Sequence, residues 1–294
     1  MVPDRLRDVA FAIIGCSLGS GFTPAFLDHL ARWPASLVIL CVLMLGVIAV
    51  SSWILVHFFG QKPGDAVLAT SPGALSLSIT LAMARGTNPQ AVMVFQTLRL
   101  ILITVSVPLA LSALGDVGAA PDSHASSGVP YVATIPILAV AVLLGALGAR
   151  WRVPASYLLG GMLISGGLHL AGLVVGLFPQ PVLLCGLITT GSLIGARFSK
   201  INRTALRNLA AAATCVTGLA LALSAGVAWL SSRILGLPFG QVWVAYAPGG
   251  VEAMAAMGLS LHYDPAFIAT HHLTRIVLML AILPPLAHSL ARYD

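Results

Sequence analysis

Of the 294 residues, 15 are Lys or Arg and 9 are Asp or Glu, so charged residues make up 8% of the chain, where a soluble domain carries roughly 25%. With 58% hydrophobic residues and a mean hydropathy of +0.97, there is too little polar surface to cover a globule in water, and a soluble fold is excluded. The net charge of +6 resides mostly in loops, where it reads as a topology signal and not as a nucleic-acid surface.

Apolar segments fall at 6–24, 35–58, 66–84, 90–113, 131–148, 154–175, 179–198, 207–232, 242–260 and 265–289. Unpaired backbone groups exclude open strands from hydrocarbon, and these segments are too long and too evenly apolar to alternate like barrel strands, so each is expected to be helical. The expected fold is all-α, a polytopic transmembrane helical bundle of about ten apolar segments. Met1 to Phe22 begins with basic residues and a short apolar run, like a signal peptide, but the repeat described next places it inside the fold. Cys16, Cys41, Cys185 and Cys215 lie in apolar runs without CxxC spacing and read as packing residues. Gly115 to Gly128, rich in Gly, Ala, Ser and Asp, has the composition of a linker.

Displacing the sequence by 176 residues brings Gly15, Gly19, Phe22, Trp53, Gly60, Gly64, Pro72, Gly73, Pro89, Arg99 and Pro108 onto Gly191, Gly195, Phe198, Trp229, Gly236, Gly240, Pro248, Gly249, Pro265, Arg275 and Pro284 without a gap. Chance identities in so apolar a chain would be mostly Leu and Ala, so the match is a duplication. It divides the chain into a first membrane repeat at 1–114, a linker at 115–129 and a second membrane repeat at 130–294. Spans 131–148 and 154–175 precede the second copy; their counterparts would lie upstream of Met1, so the first copy is expected to be incomplete at its N-terminus.

Segments 66–84 and 242–260 are interrupted by Ser71-Pro72-Gly73 and by Ala247-Pro248-Gly249-Gly250. If each enters the membrane and turns back, the loop and terminal basic residues divide 11 against 2 between the two sides; if each crosses, they divide 8 against 5. The positive-inside rule favours the first arrangement, with inverted copies each holding a Pro-Gly-broken helix. A helix restarting after such a break points free N–H groups and its positive end into the protein, which suits an anion or polar ligand, and a matched pair of breaks marks secondary-transporter sites.

Glu252, the only glutamate, falls in the first turn after the second break, and its first-copy equivalent is Ser76. A buried carboxylate there needs a cation, a proton or an arginine beside it. Arg99 and Arg275 lie about ten residues into their spans, where an arginine costs at least ~2.5 kcal/mol. They are expected to face the breaks, either binding an anionic solute and Glu252 or bonding the unwound carbonyls. His271 follows the helical face of Arg275 at i, i+4, and His272 at i, i+3, with a proton relay as the conceivable role. Their first-copy equivalents, Phe95 and Gln96, argue against a repeated metal site. The expected substrate-binding set is Ser71, Pro72, Gly73, Ser76, Arg99, Pro248, Gly249, Gly250, Glu252, His271 and Arg275, with no metal and no cofactor. Gly15/Gly19 and Gly191/Gly195 have the small-xxx-small spacing of close helix packing. No P-loop, Rossmann fingerprint, nucleophile elbow or HExxH is present.

The chain resembles the AbrB-type bacterial membrane family, a duplicated-domain family also labelled ammonia monooxygenase. The resemblance rests on Ala69-Thr70-Ser71-Pro72-Gly73 with Arg99 and Pro108, on Tyr246-Ala247-Pro248-Gly249-Gly250-Val251-Glu252-Ala253-Met254 with Asp264, Arg275 and Pro284, and on Val153-Pro154-Ala155-Ser156-Tyr157-Leu158-Leu159-Gly160. The first copy departs from the Pro-Gly-Gly pattern, with Ala74 and Ser76 where the second has Gly250 and Glu252. The family's names imply regulation of gene expression or ammonia oxidation, and neither follows from these residues. It shares a name with a soluble DNA-binding regulator whose hairpin domain could not be built from this chain.

The residues themselves lead to a non-enzymatic secondary transporter or exporter in the bacterial inner membrane. It would carry a small polar or anionic solute and be driven by a proton or Na⁺ gradient, with membrane lipid as its surroundings, no direct nucleic-acid partner and homo-oligomerisation left open. The alternatives are a membrane-embedded regulator or sensor acting on gene expression indirectly, and a metal-dependent monooxygenase.

Overall fold

The computed structural model describes residues 3–22, 33–72, 75–84, 89–116, 118, 128–151, 153, 155–196 and 203–290. Gly73 and the basic stretch 197–202 lie outside these residues, as do the side chains of Ser76 and Glu252. Among the described residues all regular structure is helical: α1 Asp4–Gly19, α2 Trp33–Phe59, α3 Pro63–Thr70, α4 Leu75–Ala84, α5 Pro89–Leu114, α6 Tyr131–Arg150, α7 Ser156–Leu170, α8 Gln180–Ala196, α9 Arg203–Leu235, α10 Phe239–Tyr246, α11 Val251–Ser260 and α12 Pro265–Leu290. Ten apolar segments become twelve helices because the Pro-Gly interruptions split two of them. The helix bounds repeat with the sequence: a displacement of 176 residues carries α3, α4 and α5 onto α10, α11 and α12 at both ends, and the C-terminus of α2 onto that of α9.

The ends of α2 and α9 show why particular glycines recur. Gly60 and Gly236 follow the last helical residues at φ +63° and +66°, the left-handed cap that lets the last carbonyls find donors and that a β-carbon disfavours. Nothing lies within 4 Å of a β-carbon built at either position, so the penalty is conformational alone. Gly60→Ala and Gly236→Ala should each lower stability by about 1 kcal/mol, read as a small, equal loss of thermal midpoint in detergent.

Five helices, Trp33–Phe59, Pro89–Leu114, Tyr131–Arg150, Leu206–Leu235 and Ala266–Leu286, are long and apolar enough to cross a membrane. Their outer faces carry large exposed apolar side chains, among them Val42 and Trp53 on α2, Val132 and Ile135 on α6, and Trp229 and Ile234 on α9. Such a surface would drive aggregation in water and is at home in lipid. The protein is therefore a multi-pass membrane protein. The cysteines do not all pack as expected: Cys16 is buried, whereas Cys185 and Cys215 are exposed, which an apolar thiol tolerates where lipid is the solvent.

The split segment 239–260 doubles back. Laid end to end, α10 and α11 would set their outer ends about 27 Å apart at 1.5 Å per residue. Instead, the Gly240 N–H at the start of α10 donates to Asp116 Oδ2 at 2.9 Å, and the Tyr263 hydroxyl just beyond α11 donates to the Asp116 carbonyl. The Asp264 N–H also donates to Gln241 Oε1 at 3.3 Å. The segment enters and returns to the same end of the molecule, with Asp116, the second residue of the expected linker, tying the two ends together.

Burial, reinforced by the adjacent Asp116 carboxylate, raises the Tyr263 phenol well above its usual pKa of 10.0. The folded state therefore holds this proton more tightly than the unfolded one, and the stabilisation is complete below pH 10 and lost as pH rises toward the folded value. An alkaline titration of the thermal midpoint should show this decline, and Tyr263→Phe should flatten it.

The helix α1 lies in a small-residue notch of α7. A β-carbon at Gly15 would overlap the Leu158 carbonyl, and one at Gly19 would come within 2.6 Å of the Gly166 nitrogen, so glycine is what allows the backbones to meet. The matched pair Gly191 and Gly195 on α8 behaves differently: nothing described lies within 4 Å of either. The close packing expected of both pairs is seen at Gly15 and Gly19, whereas no described residue packs against Gly191 or Gly195.

Candidate functional site

Each break is gripped by the helix that follows it. In the first copy, Gln96 Nε2 donates to the Leu68 carbonyl at 3.1 Å, and Arg99 donates through Nη1 to Thr70 O at 2.9 Å and through Nη2 to Ser71 O at 3.3 Å. In the second, His272 Nε2 lies 3.1 Å from the Val244 carbonyl, and Arg275 donates through Nη1 to Ala247 O at 2.8 Å and through Nη2 to Gly249 O at 2.5 Å. Gln96 and Leu68 map onto His272 and Val244 under the same displacement. In both copies later residues of the gripping helix meet later residues of the broken segment, so α5 runs parallel to α3, and α12 to α10.

Of the two roles open to the arginines, the structure displays the grip on unwound carbonyls. A helix that ends inside the protein leaves its last carbonyls without partners, and a guanidinium supplies donors for two of them at once. Arg99 is 6% exposed and Arg275 fully buried. The serine of the first break serves the same end: the Ser71 hydroxyl donates to its own helix at Val67 O, 2.6 Å away, and does not project as a free ligand group. Gly250 supplies the extended residue ahead of α11 at φ −80° and ψ 145°, and Pro72 is buried beside Ser71.

The two breaks meet at one cavity. Its wall includes Ser51 of α2, Thr70 at the end of α3, Phe95 and Arg99 of α5, Thr217 of α9 and Pro248 of the second break. Its volume is about 10 Å³, room for a single water. Arg275 is not on this wall. The matched arginines therefore sit unequally, the first facing the space and the second closing the backbone behind it.

His271 and His272 divide their work. His272 joins Arg275 on the broken segment. His271 Nδ1 lies 2.7 Å from the Phe267 carbonyl and Nε2 lies 2.8 Å from Ser36 Oγ. A carbonyl accepts only, so Nδ1 carries the hydrogen and Nε2 accepts from the Ser36 hydroxyl. Ser36 is also 2.8 Å from the Tyr246 hydroxyl, which ties α2 to the end of α10. His271 was expected beside Arg275 at the site and belongs instead to this bracing chain. Among the described residues, no three His, Cys, Asp or Glu side chains gather into a metal-holding group.

Sequence reasoning missed Gln96, Ser51, Thr217, Tyr246 and Asp116. Gln96 had a usable signal, being a polar residue deep in an apolar span at the position matched by His272.

A family model described as Transition state regulatory protein AbrB matches residues 1–291. The chain is 28% identical to a protein of Escherichia coli (strain K12) provisionally named regulator AbrB, over 97% of this chain and 82% of that protein. It is 24% identical to an uncharacterized protein, YhjN, of Bacillus subtilis (strain 168), over 93% of this chain and 75% of that protein.

Proposed function

We propose that this chain, which belongs to the AbrB family of membrane proteins, is a secondary transporter of a small polar or anionic solute in the bacterial inner membrane. The observation that carries the proposal is the cavity where Thr70 of one break, Pro248 of the other and the Arg99 side chain meet. Two broken segments from duplicated halves converge on a buried cation, the arrangement in which transporters place substrate at a repeat interface. Helices α5 to α9 separate the matched breaks. If each crosses the membrane once, their odd number makes the two copies inverted, so the breaks approach the cavity from opposite sides. A cavity with room for one water corresponds to a closed state, and alternating access then requires α3/α4 and α10/α11 to open in turn. Glu252 and Ser76, each the second residue of matched half-helices, are the candidates for coupling to H⁺ or Na⁺.

Purified protein in sealed proteoliposomes should exchange labelled small anions across the bilayer, and Arg99→Gln should abolish most of that flux. Glu252→Ala should uncouple flux from the ion gradient. Undiminished, gradient-driven uptake in both variants would remove this site assignment. The regulatory name carried by the Escherichia coli relative favours a second reading, a membrane sensor whose ligand occupies the same cavity. It predicts ligand binding without flux.

A further inference from the structure

We propose that the outer face of α8 is where a second copy of this chain docks, the two α8 helices lying parallel about a two-fold axis along the membrane normal. A displacement of 176 residues carries Ala12, Gly15, Cys16 and Gly19 of α1 onto Ile188, Gly191, Ser192 and Gly195 of α8. In α1 all four are buried, and they meet α7 at close range: a β-carbon at Gly161 would strike Ala12 O and Cys16 N, and one at Gly19 would lie 2.7 Å from Met162 O. In α8 the same four positions are bare, Ile188 being 68% exposed and Gly191, Ser192 and Gly195 exposed as well. The first copy thus shows what this face does when it is covered. It receives a helix that brings glycines of its own, Gly161 and Gly166, so that two backbones approach each other.

The geometry of the covered seam fits a twin. Gly15 lies against Leu158, and Gly19 against Met162 and Gly166, so residue numbers rise together and α1 runs parallel to α7. Two copies inserted with the same topology and related by a two-fold axis along the membrane normal also set α8 parallel to its twin, each side supplying a glycine pair. Residues 180–196 contain no charge, so identical faces meet without repulsion. The Thr189 and Ser192 hydroxyls already donate to Cys185 O and Ile188 O at 2.8 and 2.9 Å, so cover leaves neither hydroxyl stranded. The seam would also continue an existing one. Helix α6 packs on α7, α7 on α1 and α1 on α8, the last contact including Gly186, where a β-carbon would come within 2.9 Å of Ile13 Cγ2. Length adds a separate reason: the 17 residues of α8 span about 26 Å, short of a hydrocarbon core of about 30 Å, and association relieves such a mismatch.

The test uses the full chain. Light scattering in mild detergent should give twice the 30.3 kDa of one chain. Gly191→Leu fills space that no described residue of the protomer occupies, and it should give a folded, monodisperse monomer. In a chain carrying Cys41→Ser, Cys185→Ser and Cys215→Ser, Ile188→Cys should form a disulfide-linked dimer in native membranes on mild oxidation. Ile234→Cys, similarly exposed on α9, should not. In vesicles the Ile188→Cys cross-link should increase several-fold from short-chain to long-chain phosphatidylcholine, as the mismatch grows. Absence of that cross-link in membranes, a dimer that survives Gly191→Leu, or linkage of Ile188→Cys to a different polypeptide would each overturn the proposal.

Discussion

Arg275→Gln is expected to lower stability by about 3–5 kcal/mol, because a buried, hydrogen-bonded charge is removed from the carbonyls it bridges. The two acceptors, Ala247 O and Gly249 O, lie on either side of Pro248; Ala247 O also accepts the Gly249 N–H at 2.8 Å, so the loss falls most heavily on Gly249 O. Removal of the guanidinium also relieves its own desolvation, and that relief keeps the estimate from being larger. Arg275→Lys should fall between wild type and Gln, since one ammonium on a flexible stem replaces a fork that reaches both carbonyls. The measurement is the thermal midpoint and monodispersity in detergent. A Gln variant as stable as wild type would show that the break holds itself together without the arginine.

The second large effect separates two glycines that sequence treats alike. Gly15→Ala inserts a methyl into the Leu158 backbone and should cost about 1–3 kcal/mol or more, because backbone cannot yield as a flexible side chain does. Gly191→Ala meets nothing described within 4 Å and should be neutral or stabilising by up to ~1 kcal/mol through helix propensity. Matched substitutions in one duplicated chain thus carry opposite signs. Thermal midpoints moving in the same direction for both would contradict the close approach of α1 and α7.

Much of the framework is legible in the sequence because it rests on residues that are costly where they stand. Proline within an apolar run breaks a helix, arginine in hydrocarbon demands a partner, and glycine permits a left-handed cap, so Pro72, Pro248, Arg99, Arg275, Gly60 and Gly236 announce themselves. Their recurrence at one spacing anticipates the matched helix bounds. The partners of the arginines are illegible for an equally physical reason: every residue has a carbonyl, so an acceptor on the main chain leaves no mark in the sequence. Ser51 is hidden differently. Hydroxyls in membrane helices ordinarily bond the carbonyl one turn back, as Thr104, Ser106 and Ser192 do here, and nothing in the sequence sets apart Ser51, which lines the cavity. Asp116 is camouflaged by the loop composition around it.

The main-chain character of the two grips also bears on how this molecule can change over generations. Thr70 and Ser71 offer their carbonyls to Arg99 exactly as well as any other pair of residues could, and the second copy, with Ala247 and Gly249 in the equivalent office, demonstrates that tolerance within a single chain. The grips themselves therefore place no demand on which side chains stand at Thr70, Ser71, Ala247 and Gly249. A lineage could retune what the central chamber admits by a few exchanges at these places, and the ancestral architecture would survive each step.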